Sequence, residues 1–475
     1  MSLKFISNEE ILKIHNKSRE LLAEYGLKVK HDKFLQFLAE KSFEVDFKNK
    51  VVKIPYELQD KYLKTLPSSY CVSGWDFKNM IEVKNNSDIF FPRSAPGSIF
   101  ISDYETGKRI SAKSSDLINA SIILENLDSV KIVSTSISPN DINPKYRDLF
   151  AFKTVLQYSK KFIYLQPFSA ENLKVMLNMT DVIKEEYSGI KNYPLLNVCI
   201  SSTSPLKFDE MDINLLYESC NNQIPVLMVA GPILGLTSPI SLAGGLVIQH
   251  SESMAAFIFA QAIKKGSKIL YAPRLAGSDM RTGNIAFSGM EFILITISSI
   301  KLAELLKIPV DVVNMLSDSK IPDPQASIEK ALGLFMVGQY NPSIMSGIGA
   351  LEAANTFSLE QAIIDNELVK MFARVRKGFD VNEDTLALNV IKEIGYESKY
   401  ITHPHTLQNY KKEQEIFDIF DRDFGQSWEN KGSKSILDNA HDKVNKILKN
   451  NKEPILNSRL ISKINNVFKK YIDKF

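Results

Sequence analysis

The amino-acid sequence predicts an α/β protein whose centre is a (β/α)8 barrel, preceded by a helical and mixed segment and followed by a helical extension. Eight short runs of β-branched or aromatic residues recur between residues 89 and 346, and a helix-like stretch follows each run. No G-x-G-x-x-G turn follows an early run, which favours a closed barrel over a doubly wound open sheet, the competing arrangement. The 475 residues accommodate a barrel of about 250 residues with both flanking segments.

Residues 1–87 are the first predicted unit. A helix begins at Asn8 and ends at Gly26, because apolar residues recur there at helical spacing before a glycine stop. A second amphipathic helix covers 33–41, VVKIP is predicted as a short strand, and a third helix covers 56–65. We expect this unit to pack on the barrel.

Residues 88–378 are predicted to form the barrel. Its strands are expected at 89–91, 131–137, 162–166, 195–200, 226–230, 268–272, 310–315 and 343–346. The helices that follow them are expected at 115–127, 145–158, 170–186, 209–221, 240–264, 288–306, 325–337 and 359–376.

Residues 379–475 are predicted to be a helical extension packed on the barrel. It begins with one capped helix over 379–395 and continues as Lys-rich amphipathic segments. Acidic residues are interspersed among the lysines, so these charges indicate a solvated face.

Composition narrows the class of protein. The net charge of +3 argues against a protein that grips nucleic acid. The three cysteines have no C-x-x-C spacing, and the longest apolar run, 254–260, is far below the ~20 residues that span a bilayer. The His403-x-His405 pair is typical of a turn, so no metal site is predicted. The sequence therefore predicts a cytoplasmic protein without a membrane span.

The chemistry is expected on loops that leave the carboxyl ends of the barrel strands, where (β/α)8 enzymes carry their active sites. Long loops rich in glycine, proline and aspartate follow strands four to eight. Their candidate polar groups, with one carboxylate from the helix after strand five, are Asp279, Arg281, Asp318, Gln325, Glu352 and Glu252. Each has a structural alternative: Glu252 could pair with Arg281 or Lys320, and the aspartates could cap turns or helices.

Aromatic residues form a second group of candidates. Phe91, Tyr271 and Phe357 fall at or near predicted strand ends, where a cluster of rings would attract a desolvated cation. Packing in the core is the alternative for each ring.

The ordered loops resemble those of the trimethylamine methyltransferase family. The resemblance rests on SPLKFDE, PVLMVAGPILGLTSPISLAGGLV, E-x-M-A-A-F at Glu252, DMRTG at Asp279, SDSKIPDPQAS, the Gly347-x-Gly349-x-Leu-Glu352 run with SLEQAIIDNEL, and ISDYETGKRISAKSSDL upstream. It extends in order over nearly the whole chain. It implies a (β/α)8 protein that transfers a methyl group from a methylated amine to the cobalt of a separate corrinoid protein.

The resemblance also implies a substrate class and a site. The archaeal branch of the family binds trimethylamine with pyrrolysine, which is absent from these 475 residues, so the sequence resembles the branch acting on quaternary amines such as glycine betaine, proline betaine or carnitine. Cobalamin would be carried by the partner, and this chain would bind no cofactor tightly. The residues carried over as pocket candidates are Glu252, Asp279, Arg281, Asp318, Gln325, Gly347, Gly349 and Glu352.

Two departures from the family pattern leave alternatives open. His250-Ser251 stands where relatives commonly have Asn-Ala, and Ser346 stands where many have histidine. The alternatives are a demethylase that uses another acceptor such as a folate, a tertiary methylamine as substrate, and an inactive barrel that only binds an osmolyte. A homo-oligomer is compatible with each.

Overall fold

The structure is a computed structural model that describes residues 5–397 and 399–473, and it confirms the predicted fold class. Eight parallel strands form the barrel: β1 Phe91–Ser94, β2 Ile132–Ser134, β3 Phe162–Leu165, β4 Leu196–Ser201, β5 Val226–Ala230, β6 Ile269–Pro273, β7 Asp311–Val312 and β8 Ile344–Ile348. They neighbour one another in sequence order, and β8 pairs with β1. A bridge between Tyr271 and Val310 joins β6 to β7 and closes the barrel, which excludes the open sheet.

A helix follows each barrel strand: α1 Ser114–Glu125, α2 Arg147–Tyr158, α3 Ala170–Glu186, α4 Glu210–Asn221, α5 Leu242–Ile263, α6 Met290–Leu306, α7 Pro324–Gly338 and α8 Leu359–Lys377. Helix α5 is buried along most of its length, because the first and third N-terminal helices cover its outer side. Its sequence is largely apolar outside the polar run 249–253, which fits that position, since a helix with apolar residues all round needs partners all round.

The N-terminal segment consists of helices Asn8–Glu24, Asp32–Glu40 and Tyr56–Leu63 with strands Leu27–Val29, Glu44–Asp46 and Val51–Lys53. A capping box between Ser7 and Glu10 begins the first helix. A hairpin of Ser69–Ser73 and Met80–Lys84, which was not predicted from the sequence, follows. Its Tyr70, Val72, Ile81 and Val83 pack with the residues that fill the barrel, so this hairpin plugs the amino end.

Short strands also lie outside the barrel wall. Lys207–Phe208 joins the N-terminal sheet through Leu27–Val29. Gly277–Ser278 pairs with Ile285–Ala286 in the β6–α6 loop. The loops after β1 and β8 share a four-stranded sheet of Phe100–Ser102, Arg109–Ser111, Ala350–Leu351 and Thr356–Phe357. These pairings fix the loops at the carboxyl end of the barrel.

The C-terminal extension contains helices Glu383–Leu386, Leu388–Ile394, Pro404–Glu413, Gly425–Asn430, Ile436–Asn450 and Ser458–Ile472. The single helix predicted over 379–395 is wrong: Asn382 caps a later start, and Ala387, at a φ of 50°, separates two short helices. None of the described residues between 379 and 418 is buried, so no packed face holds one continuous helix there. Ile436–Asn450 packs on α8, and Ser458–Ile472 packs on α3.

Within the described part of the chain, we find no helix that combines the length and apolarity required to cross a membrane.

Candidate active site at the carboxyl end of the barrel

The carboxyl end of the barrel is open, whereas the amino end is plugged by the hairpin. Inward-facing positions near this end include the exposed Gln166 and the partly exposed Val229 and Arg274. Enzymes of this architecture place their chemistry at the carboxyl end of the strands. This mouth, defined by Gln166, Val229 and Arg274, is therefore the candidate site.

Two arginines and one aspartate meet inside the barrel below the mouth. Arg93 Nε lies 3.0 Å from Asp311 Oδ2, and Arg93 Nη2 lies 3.0 Å from Asp311 Oδ1. Arg274 Nη2 also donates to Asp311 Oδ1. Arg93 and Asp311 are almost completely buried, and the Arg274 side chain is 11% exposed. Two guanidinium groups thus share one carboxylate.

The surroundings of this cluster are polar but neutral. The Arg93 guanidinium carbon lies 3.9 Å from the centre of the Tyr164 ring, and Arg93 Nη1 donates to Ser134 Oγ at 3.1 Å. Burial raises the pKa of Tyr164 well above its ordinary value and raises that of Cys199 to about 11. The phenol and the thiol therefore stay protonated and bring no negative charge to the arginines.

Arg93, Asp311 and Arg274 were not among the site residues predicted from the sequence. Asp311 lies within the predicted run 310–315, whereas Arg93 and Arg274 each lie two positions beyond the end of a predicted run. A charged residue within such a run, or just past its end, was the available signal, because a strand buried on both faces tolerates charge only when it is paired.

Glu252 is buried in α5 and organises the loop after β4. Its carboxylate accepts hydrogen bonds from Ser202 Oγ at 2.5 Å, Ser204 Oγ at 2.8 Å and the Leu206 N–H at 2.8 Å. Burial raises the pKa of Glu252, and these donors oppose that shift. The partners are uncharged, so the pairing with Arg281 or Lys320 considered for this residue is not formed.

Asp279 and Arg281 pair with each other in the β6–α6 loop. Arg281 Nη2 lies 2.8 Å from Asp279 Oδ2, and the Arg281 side chain is 88% exposed. Hydrogen bonds from Arg281 lower the pKa of Asp279 to about 2. The structure places this pair on the outer rim of the mouth.

Asp318 and Gln325 lie in one network after β7. Asp318 accepts the N–H groups of Phe287 and Ser288 at 3.3 and 3.2 Å, which ties the β6–α6 loop to the β7–α7 loop. Gln325 donates to Glu329 at 2.9 Å, and Glu329 accepts the Asp318 N–H at 3.0 Å. Glu329 was not predicted as a site residue, because the sequence gives no signal for it beyond its place on α7.

Glu352 lies in the neighbouring loop after β8, where the backbone is strained. Its carboxylate accepts from Arg109 Nη1 at 2.6 Å, and the Glu352 N–H donates to the Ser319 carbonyl at 2.7 Å. Glu352, Ala353 and Ala354 have φ values of 51°, 52° and 75°. Three consecutive left-handed residues other than glycine cost about 1–3 kcal/mol each and cluster at functional sites.

Gly347 and Gly349 are explained by close packing. A Cβ on Gly347 would lie 2.3 Å from the Met315 carbonyl, and one on Gly349 would lie 2.4 Å from the Phe357 ring. The buried Lys330 donates to the Gly347 carbonyl at 2.9 Å. These glycines let the loop after β8 approach its neighbours.

The three candidate rings are not brought together. Phe91 begins β1 and lines a cavity of about 470 Å³ at the amino end of the barrel, far from the mouth. Phe357 is completely buried beside Gly349. Tyr271 is also buried, and its hydroxyl faces α5, where it lies 3.2 Å from His250 Nδ1. Each of these rings packs in the core or at the opposite end.

His250 has a structural partner in the N-terminal segment. Its Nε2 lies 3.0 Å from His15 Nδ1, so a buried link runs from the first helix through α5 to Tyr271 on β6. In residues 5–397 and 399–473, no three histidine, cysteine or acidic side chains are grouped so that they could hold a metal ion.

Comparison with known proteins agrees with this architecture. Residues 1–474 match the family model described as trimethylamine methyltransferase. A trimethylamine methyltransferase from Desulfitobacterium hafniense (strain DSM 10664 / DCB-2) is 28% identical over 469 residues, covering 99% of this chain and 94% of that protein. A glycine betaine methyltransferase from Desulfitobacterium hafniense (strain Y51) is 25% identical over 461 residues, covering 97% of this chain and 95% of that protein.

A solved structure shares the fold. The monomethylamine methyltransferase of Methanosarcina barkeri superposes with a TM-score of 0.52 at 12% identity, covering 94% of this chain and 89% of that one. The family match over nearly the whole chain confirms the resemblance drawn from the loops. The chain belongs to the trimethylamine methyltransferase family.

Proposed function

We propose that this protein transfers a methyl group from a quaternary methylamine, such as a betaine, to the Co(I) of a separate corrinoid protein. The observation that carries the proposal is the match of residues 1–474 to a methyltransferase family, on a barrel whose carboxyl end is open. The relative named glycine betaine methyltransferase supports a quaternary substrate.

The leaving group explains what the chain has to supply. In a quaternary ammonium the C–N bond breaks with its electron pair remaining on nitrogen, so a neutral tertiary amine leaves without being protonated. When bound, the corrinoid supplies the nucleophile that takes the methyl group. The barrel residues bind and orient the amine and exclude water, contributions that lower the barrier by positioning.

The rim of the mouth supports docking of a macromolecular partner. Leu236, Ile240 and Met280 are 62%, 63% and 75% exposed. A Cβ on Gly235 would lie 3.2 Å from Ile240 Cδ1 and 3.9 Å from Met280 Sδ, so the loops after β5 and β6 present one apolar patch. Exposed apolar patches bordered by polar groups are typical of protein interfaces.

Methyl transfer to free cobalamin tests the proposal. Purified protein is incubated with Co(I) cobalamin and a panel of trimethylamine, choline, carnitine, glycine betaine and proline betaine, and methylcobalamin is followed by its absorbance. We expect formation with at least one quaternary amine. A reaction without protein is the control.

Two other results would contradict the proposal and identify its alternatives. Methylation of tetrahydrofolate without methylation of cobalamin would indicate a folate-dependent demethylase. Calorimetric binding of a betaine without transfer to either acceptor would indicate an inactive binding barrel.

A further inference from the structure

The cluster of Arg93, Asp311 and Arg274 has more positive charge than its only carboxylate neutralises. Arg93 alone forms a two-pronged pair with Asp311, because its Nε and Nη2 each lie 3.0 Å from a different carboxylate oxygen. Arg274 shares the Oδ1 already used by Arg93. Two guanidinium groups and one carboxylate leave one positive charge inside the barrel.

Among the residues that the structure describes, no neighbouring acidic group compensates this charge. The carboxyl group of Asp212 belongs to α4, and it accepts the Ser201 N–H at 2.8 Å rather than a hydrogen bond from either arginine. Glu252 is engaged by the loop after β4. An uncompensated buried charge is costly and is normally met by an opposite charge or a ligand.

Arg274 is the member of the cluster that a ligand can reach. Its Nη1 donates to the carbonyls of Pro273 and Asp311, both at 2.8 Å, which holds the guanidinium in place. Its Nε makes no hydrogen bond to the described residues, and its side chain is 11% exposed where that of Arg93 is 1% exposed. A positioned guanidinium with a free N–H edge suits a carboxylate, which it can bind through two oxygens.

Ser346 adds an unused donor beside the cluster. It lies on β8 directly opposite Arg93 in the register of the barrel sheet. Its side chain is completely buried, and Oγ has no hydrogen-bond partner in the structure. A buried hydroxyl without a partner in a native structure calls for an explanation, and a role in binding a ligand is one.

We propose that Arg274, supported by Arg93 and Ser346, forms an anion subsite that binds the carboxylate of the methyl donor. This inference rests on the proposed function for the reaction and adds the contact that selects the substrate. A donor carrying both a carboxylate and a quaternary ammonium places its carboxylate at Arg274 inside the barrel. Its ammonium then lies toward the mouth, where the loops lead to solvent and to the apolar rim.

Isothermal calorimetry with four probes tests the subsite without requiring turnover. Glycine betaine carries both charges, and choline has a hydroxymethyl group in place of the carboxylate. The probe 3,3-dimethylbutyrate has the carboxylate without the ammonium, and tetramethylammonium has only the cation. We expect the wild-type protein to bind glycine betaine more tightly than choline, and 3,3-dimethylbutyrate to compete with glycine betaine.

Two variants test the charge of Arg274, one by removing it and the other by compensating it. Arg274→Gln removes the positive charge and should lower the affinity for glycine betaine about 10- to 100-fold. This is the range expected for losing hydrogen bonds to a charged group. Ser346→Asp keeps both arginines and supplies the missing negative charge, so it should abolish the preference for glycine betaine over choline. Neither should weaken the binding of tetramethylammonium, because each variant makes the interior of the barrel less positive. Arg459→Gln, on the C-terminal helix, is the matched control and should leave all four affinities unchanged.

The outcomes separate this inference from the proposed function. Unchanged glycine betaine affinity in both variants, or equal wild-type affinities for glycine betaine and choline, would overturn the subsite even if methyl transfer to cobalamin occurs. Loss of carboxylate selectivity in the variants would support the subsite even if no transfer is observed. If Arg274→Gln does not fold, Ser346→Asp and the 3,3-dimethylbutyrate competition decide alone.

Discussion

Gly347 shows how a single residue in the predicted site is constrained by packing. Its φ of 131° is one that L side chains rarely adopt, and the Met315 carbonyl lies where a Cβ would be. The family resemblance selected this glycine as a pocket residue, and the structure supplies a reason that is independent of any ligand. Close approach of two backbones requires the absence of a side chain.

Gly347→Ala should therefore lower the free energy of unfolding by more than about 3 kcal/mol, since an unfavourable φ and an overlap with backbone add together. Gly97→Ala is the matched control. Its φ of 77° is also positive, but a Cβ there meets nothing within 4 Å. Gly97→Ala should lower the free energy of unfolding by only about 1–2 kcal/mol. Urea denaturation followed by circular dichroism measures both, and equal losses would argue against the packing explanation.

At the scale of elements, the His15–His250 contact joins the N-terminal segment to the barrel. Burial, with the charge of Arg19, lowers the pKa of His15 from 6.5 to about 4, and burial also lowers that of His250. Both rings are neutral in the folded protein at neutral pH. The unfolded chain binds protons first as the pH falls, so the link loses stability on acidification.

The free energy of unfolding should therefore fall as the pH is lowered. Between pH 6.5 and 4, His15 alone should remove about 3 kcal/mol from the free energy of unfolding, at about 1.4 kcal/mol per pH unit. In a double variant, His15→Gln with His250→Asn, the free energy of unfolding should fall less over the same pH interval. Protonation of carboxylates affects both proteins alike and so cancels in the comparison. Parallel stability curves from chemical denaturation would contradict the prediction.

Lys330 and Asp365 tie the last two barrel units together. Lys330 Nζ lies 2.8 Å from Asp365 Oδ2, and both side chains are completely buried. Lys330 also donates to the Met315 carbonyl, while Asp365 accepts the Gly349 N–H. The pair thus links α7 and α8 to the loops on which the candidate site is built.

Lys330→Met should lower the free energy of unfolding by about 3–5 kcal/mol, because it leaves the Asp365 carboxylate buried without its cation. Adding Asp365→Asn should recover part of that loss. Lys13→Met, which breaks the exposed pair with Glu9, is the surface control and should cost about 0–1 kcal/mol. Thermal and urea unfolding report these differences. A double variant that loses the sum of the two single losses would show that the pair is not coupled.

At the scale of the whole molecule, burial is unevenly distributed. The barrel and the two last helices form one packed body, in which Ala440, Val444, Leu460 and Ile464 are buried. The stretch 379–418 between them has no buried residue among those described. Chain segments with few packed side chains open more readily than the core.

Limited proteolysis should therefore cut first within 379–418. Trypsin has lysines available there, including Lys392 and Lys411. The fragments before and after the cut should still elute together on gel filtration, because the helices Ile436–Asn450 and Ser458–Ile472 pack on α8 and α3. Mass spectrometry identifies the sites, and first cuts inside the barrel would contradict this expectation.

The sequence by itself determined the class of fold and the family. Alternation of strand and helix patterns is a local property, so eight units could be counted before any contact was known. Loop motifs such as SPLKFDE and the Gly347-x-Gly349 run are also read along the chain. They placed Asp318, Gly349 and Glu352 after β7 and β8, with Gln325 and Gly347 at the adjoining ends of α7 and β8, as the structure has them.

Tertiary structure decided which side chains meet. Arg93 on β1, Arg274 after β6 and Asp311 on β7 are separated by up to 218 positions, and only closure of the barrel brings them together. Register likewise decides which face of a strand points inward, which is why Tyr271 faces α5 and Ser346 faces Arg93. A linear pattern records residue types in order, whereas the charge of a site depends on groups that meet across the fold.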